Sequence, residues 1–127
     1  LIIGATRNWS RNVIEWNLAA DPQNKPYTDR GGCARCLGGI TVDKDSISRN
    51  PGYYIVAHAS KFVRPGSVRI ESTNLETLPN VAFKNTEGKT VLIVLNTGDK
   101  AQSFNIGSAN KAAIASLNPG AVGTYIW

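Results

Sequence analysis

The distribution of apolar and polar positions changes character at Gly66. After it, short apolar-rich runs alternate with turn residues: Ser67–Glu71, Val81–Lys84, Thr90–Asn96, Ala101–Ile106, Ala112–Leu117 and Gly123–Trp127, broken by Glu87-Gly88 and Thr97-Gly98-Asp99. Runs of this length and spacing predict the strands of an antiparallel sandwich. Val91 to Leu95 is apolar at every position, which predicts a central strand buried on both faces. Ser108 to Ala115, rich in Ala and Asn, also reads as a helix.

Before Gly66 the texture is different. The end of a helix leads into Val13–Leu18, a β-branched and aromatic run that predicts a buried strand ended by Asp21-Pro22. From Pro22 to Gly39 the pattern is a long loop of Pro, Gly and both cysteines, and loops of that length are often functional. Ile40–Ser48 alternates around a turn, as a hairpin does. A helix is predicted from Pro51 to about Phe62, with Asn50 as N-cap, Pro51 at the first helical position and Pro65-Gly66 as the stop. Tyr54, Ala57, His58 and Phe62 share one side of it, with Ile55 beside them, which predicts a buried face.

A strand, loop and helix alone would leave the strand unpaired and the helix with nothing to cover. The expected fold is therefore mainly β: an antiparallel β-sandwich over 66–127, preceded over 1–65 by one βα unit that is the last repeat of a (β/α)8 barrel. The chain starts at Leu1 and contains no Met, so it is expected to be a piece of a longer parent.

Composition narrows the classes. Hydrophobic residues are 42% and charged residues 18% of the 127, as in a globular protein. No apolar run approaches the ~20 residues of a membrane span. The formal charge is +5, yet the basic residues are spaced evenly from Arg7 to Lys111 rather than gathered in a stripe, which argues against nucleic acid as a partner.

The candidate chemistry is sparse. In a barrel the site lies at the C-terminal ends of the strands, here Glu15-Trp16-Asn17. Trp16 is either an aromatic platform for a sugar face or a core residue plugging the barrel end. Glu15 faces the other way and lacks the second carboxyl that retaining glycoside hydrolysis requires. It is not a catalytic candidate. His58, the single histidine, reads as a packed, hydrogen-bonded residue rather than a catalyst. Cys33 and Cys36 have no second cysteine pair, so no zinc site forms; a local disulfide in a secreted or periplasmic protein fits better than free thiols or a redox centre. Asn8-Trp9-Ser10 is a weak glycosylation sequon. No P-loop, dinucleotide or nucleophile-elbow motif is present, and no metal or cofactor is expected.

Several stretches resemble glycoside hydrolase family 30, which includes glucosylceramidases and microbial β-1,6-glucanases. They are Val13–Ala19 with Asp21-Pro22 and Pro26, Gly32-Cys33 to Cys36–Gly39, Tyr53-Tyr54 with His58–Ser67, and the later Val81–Phe83, Val91–Asn96, Ser116–Gly120 and Thr124–Trp127. The resemblance covers nearly the whole chain, and Ser60-Lys61-Phe62 with Pro65-Gly66-Ser67 is its most specific stretch. It implies a (β/α)8 barrel with a side sandwich, and hydrolysis of β-glycosides with retention by two glutamates that both lie upstream of Leu1. No catalytic residue is then in this chain. Trp16 corresponds to the tryptophan bordering the sugar site, and the 22–39 loop to the variable rim. The implied partners are a β-linked carbohydrate and the remainder of the barrel, in the same polypeptide or a companion chain. The resemblance also implies that one sandwich strand comes from before the barrel, so its absence leaves a sheet edge open. A non-catalytic carbohydrate-binding sandwich is the alternative.

Overall fold

A computed structural model describes residues 1–108 and 111–127. In chain order the elements are α1 (Ile2–Arg7), β1 (Ala19–Ala20), β2 (Ile40–Asp43), β3 (Ser46–Arg49), α2 (Pro51–Ser60), β4 (Val68–Ile70), β5 (Asn80–Lys84), β6 (Thr90–Leu95), β7 (Gln102–Ser108), β8 (Lys111–Leu117) and β9 (Val122–Ile126). They fall into two compact units, one of Asn12–Ala57 and one of Leu1–Arg11 with His58–Trp127.

The larger unit is built on a sheet of order β4-β5-β6-β9, with β7 and β8 forming a separate hairpin. All its ladders are antiparallel, and β6 lies between β5 and β9 as its sequence predicts. The register explains why β6 is apolar from Val91 to Leu95. Val91 and Ile93 join Val81 and Phe83 in one cluster, covered by Ile3 of α1, Ala59 of α2 and Phe62, Val63 and Val122. Leu92 and Val94 point the other way, into a second cluster with Leu78, Leu117, Phe104, Ala121 and Tyr125. A strand between two apolar layers cannot alternate. Val81 and Val91 are fully buried, each worth about 1.5–3 kcal/mol by transfer.

Polar groups fasten the layers. Arg7 donates through Nη1 to Ser72 Oγ and the Asn80 carbonyl, both at 2.9 Å, tying α1 to the sheet. Asn96 is fully buried, and its side chain donates to the carbonyls of Lys100 at 2.8 Å and Leu117 at 2.9 Å. Its Oδ1 accepts from Gly98 N at 2.9 Å and from Gln102 Nε2. The alternative helix over Ser108 to Ala115 crosses residues 109 and 110, which lie outside the described residues; on either side the chain is the paired strands β7 and β8.

In the smaller unit β1 pairs parallel with β2, and β2 antiparallel with β3. The strand expected over Val13–Leu18 is not a ladder strand. Pairing reaches it only at its end, where Gly39 N and Ile40 N donate to the carbonyls of Asn17 and Leu18, because β structure requires a neighbour and the described residues supply none along Val13–Trp16. The α2 face is also less covered than its periodicity predicts: Tyr54 is 55% exposed, while Ala57, His58 and Phe62 are half-buried.

Candidate functional site

The segment leading into β1 presents large apolar side chains to solvent. Ile14 is 91%, Trp16 73% and Leu18 83% exposed, a concentration well beyond scattered surface residues. Glu15 is exposed too and takes part in no ion pair among the described residues. The peptide between Trp16 and Asn17 is cis.

Behind Trp16 the backbone is tightly determined. A Cβ on Gly38 would lie 2.7 Å from Ala20 N and 2.8 Å from both Ala19 C and Asn17 Oδ1, so only glycine allows the loop end to close on the Asn17–Ala20 segment. Asn50 holds the same point. Its amide donates to the Gly38 carbonyl at 2.8 Å and to Thr41 Oγ1 at 2.9 Å, and its N–H donates to the Gly39 carbonyl. Those two side-chain bonds run to the loop and β2, so Asn50, which directly precedes α2 and accepts from Tyr53 N through its carbonyl, is also a strut for the end of the loop.

The loop is fixed by local turn chemistry. Asp21 Oδ1 accepts from Gln23 N and Lys25 N, both at 2.8 Å, an Asx-type turn that leads into a cis Lys25-Pro26 bond. Thr28 and Gly31 form an isolated bridge, and Cys33 and Cys36 are joined by a disulfide with 5.2 Å between their Cα atoms. Arg30 and Arg35 stand exposed on this loop. No three His, Cys, Asp or Glu among the described residues gather as a metal site, and none of the described helices is long and apolar enough to cross a membrane.

The remaining sequence candidates divide between the two units. His58 belongs to the larger unit, where its Nδ1 lies 2.8 Å from Thr124 Oγ1 of β9, a packed and hydrogen-bonded role. Cys33 and Cys36 share the smaller unit with Trp16. Two features of the larger unit were not anticipated. Trp9, at φ 66°, lies over the Arg69 guanidinium, 3.8 Å from ring centre to Cζ. A groove of about 490 Å³ runs beside β4, lined by Ile70, Ala82, Leu92, Phe104, Ile106 and Trp127 among others. Asn80, 6% exposed, lines it with an Oδ1 that meets no donor. A polar residue opening an apolar strand was the available sequence signal for this orphan acceptor.

Comparison with known proteins is decisive for the larger unit: residues 66–125 match the glycosyl hydrolase family 30 β-sandwich domain. The chain is a member of that family. It is 31% identical over 101 residues to the endo-1,6-beta-D-glucanase neg1 of Aspergillus fumigatus, covering 75% of this chain and 21% of the relative. It is 31% identical over 119 residues to the lysosomal acid glucosylceramidase of Mus musculus, covering 89% and 22%. The solved structure of the endo-beta1,6-glucanase BT3312 superposes with a TM-score of 0.85 at 31% identity, over 98% of this chain and 29% of that one. This family 30 chain thus spans about a fifth of the length of the curated relatives it matches. A family 30 xylanase from Talaromyces cellulolyticus, 19% identical with a TM-score of 0.67, shares the fold.

Proposed function

We propose that this chain is the C-terminal part of a secreted retaining β-glycoside hydrolase that acts on β-glucosides or β-glucan. In this reading residues 1–65 close a (β/α)8 catalytic barrel, 66–127 brace it, and both catalytic glutamates lie in the parent upstream of Leu1. The observation that carries it is the likeness to a β-1,6-glucanase over 98% of this chain, joined to the exposed Ile14, Trp16 and Leu18.

Trp16 and the 22–39 loop supply part of the sugar-pocket wall. An indole ring offers an apolar, electron-rich face to the C–H face of a pyranose, and Gly38 and Asn50 fix the backbone behind it. The chemistry needs two carboxyls about 5–5.5 Å apart, one as acid/base and one as nucleophile; Glu15, solvent-exposed, is neither. The unpaired side of β4, the groove beside it and the orphan Asn80 Oδ1 support a further sandwich strand from the parent.

The test has two arms. In the full-length enzyme Trp16→Ala lowers kcat/KM on a β-1,6-glucan oligosaccharide about tenfold, the scale of one lost aromatic contact, while Trp16→Phe retains most of it. The 127-residue chain alone leaves an aryl β-glucoside intact. Turnover by this chain that Glu15→Gln abolishes would overturn the assignment.

A further inference from the structure

The net charge of +5 is not shared between the two units. Asn12–Ala57 holds five Lys and Arg against five Asp and Glu, whereas Leu1–Arg11 with His58–Trp127 holds nine against four. The whole excess therefore belongs to the sandwich unit. Its cations are not equally free. Arg7 is held by Ser72 and the Asn80 carbonyl, and Arg69 lies under Trp9.

The fold also gathers residues that the sequence spaces apart. Val68 pairs with Lys84, which pairs in turn with Thr90, so the start of β4 and the β5–β6 turn occupy one end of the sheet. Gly66 confirms the approach: a Cβ on it would lie 2.8 Å from Thr86 Cγ2 in that turn. Arg64, two residues before Gly66, and Lys84 and Lys89, which flank the turn, are thereby brought to this corner, all exposed. Glu87 is the acidic residue of the turn, 3.0 Å from Lys89. Arg64 is aimed by its Nη1 bond to the Ser60 carbonyl at 3.0 Å.

We infer that this corner, Arg64, Lys84 and Lys89, docks an acidic polysaccharide, a carboxylate-bearing glycan, and so holds the enzyme on an anionic matrix. Exposed cations gathered at one corner attract a flexible polyanion and release its counterions on binding. The cations stand on a sheet corner rather than along a helix face, so they fit no duplex groove. The choice of a glycan rests on the proposed action on carbohydrate, but the site is separate from the hydrolytic one and is read by binding alone.

Binding of the 127-residue chain to sodium polygalacturonate, titrated from 20 to 200 mM NaCl, tests it. The triple variant Arg64→Gln/Lys84→Gln/Lys89→Gln binds at least tenfold more weakly at low salt and lowers the log–log salt slope by about 2, at roughly 0.7 per cation removed. The control Lys44→Gln/Arg49→Gln/Lys100→Gln removes the same charge elsewhere and stays within twofold; Lys100 follows β6 at the opposite end of the sheet. If the triple variant does not fold, Lys84→Gln alone gives a smaller loss of the same sign. Equal loss in the control, no polygalacturonate binding at 20 mM salt, or tighter binding to duplex DNA than to polygalacturonate each overturns the proposal. Absence of hydrolysis leaves this result untouched, so the two readings fail separately.

Discussion

Asn96→Asp is a near-isosteric change with a large expected cost. The Asn96 amide, fully buried, donates to the carbonyls of Lys100 and Leu117 at 2.8 and 2.9 Å. A carboxylate keeps the acceptor that serves Gly98 N and Gln102 Nε2 but turns an oxygen toward two carbonyl oxygens. Two hydrogen bonds at about 1 kcal/mol each are lost, and the buried Leu117 carbonyl is left without this donor at about 1–3 kcal/mol. The total is about 3–5 kcal/mol, a large share of a 5–15 kcal/mol native stability. For a domain of this size each kcal/mol moves Tm by about 4 °C, so a fall of about 10–20 °C at neutral pH is expected.

Thermal unfolding followed by far-UV circular dichroism measures the loss, and Asn96→Ala, which forfeits all four side-chain bonds, should lose at least as much. The Asp variant carries a further signature. Burial and the facing carbonyls hold the introduced carboxyl's folded pKa above its unfolded value, so the variant regains part of its stability as pH falls toward that unfolded value and the protonated group can donate to one carbonyl. A Tm within 3 °C of the parent at pH 7, or a deficit that grows on acidification relative to the parent, would refute the reasoning.

Three further outcomes are expected. Replacing Cys33 and Cys36 by Ser opens a loop of only four residues, worth about 2 kcal/mol of chain entropy; limited proteolysis within 22–39 should accelerate while the unfolding of the β4–β9 sheet is unchanged. Burial pushes the Tyr125 hydroxyl above its usual 10.0, so the neutral phenol is favoured in the folded state. That contribution is fully present below the unfolded value and lost as pH rises through the higher folded one; urea unfolding above pH 10 should show an alkaline loss that Tyr125→Phe reduces. Arg7→Lys keeps the charge but removes the second donor nitrogen, Nη2, that reaches the Ser72 carbonyl at 3.3 Å while Nη1 serves Ser72 Oγ and the Asn80 carbonyl, and should cost about 1–2 kcal/mol by the same urea assay.

The strands after Gly66 were legible because their signal is local: turn residues punctuate them and apolar runs fill them. The continuous run Val91–Leu95 even carried its tertiary position, since a strand apolar at every residue needs cover on both faces, and the structure supplies α1, α2 and neighbouring residues on one and the β7–β8 side on the other. Val13–Leu18 failed as a strand for the complementary reason. Composition states what a segment suits, whereas a ladder depends on a neighbour that need not lie nearby in sequence. Around Trp16, sequence identified the aromatic and the glycine-rich loop but not the fasteners. Gly38 and Asn50 act through contacts with Asn17–Ala20 and Thr41, and nothing in the spacing of those residues announces the approach. The basic corner escaped in the same way, because the start of β4 and the β5–β6 turn meet only through the β4–β5 register.

The two units differ in how they manage apolar surface, and the difference bears on the functional reading. In the sandwich unit the large side chains of β5 and β6 are mostly covered, with Val81 and Val91 fully buried, so its core is supplied from within. In Asn12–Ala57 the buried residues include Ala20 and Gly38, while Ile14, Trp16, Leu18 and Leu37 are each more than half exposed and Tyr53, Tyr54 and Ile55 stand exposed with them. A lone binding module would gain from one exposed aromatic; it gains nothing from exposed Ile14 and Leu18 flanking it, which cost solubility unless covered. Ile14 and Leu18 stand exposed on either side of Trp16 in sequence, and one neighbouring surface laid against this segment removes their apolar area from water with no further change in the fold. That economy favours the barrel-closing role over the independent carbohydrate-binding module.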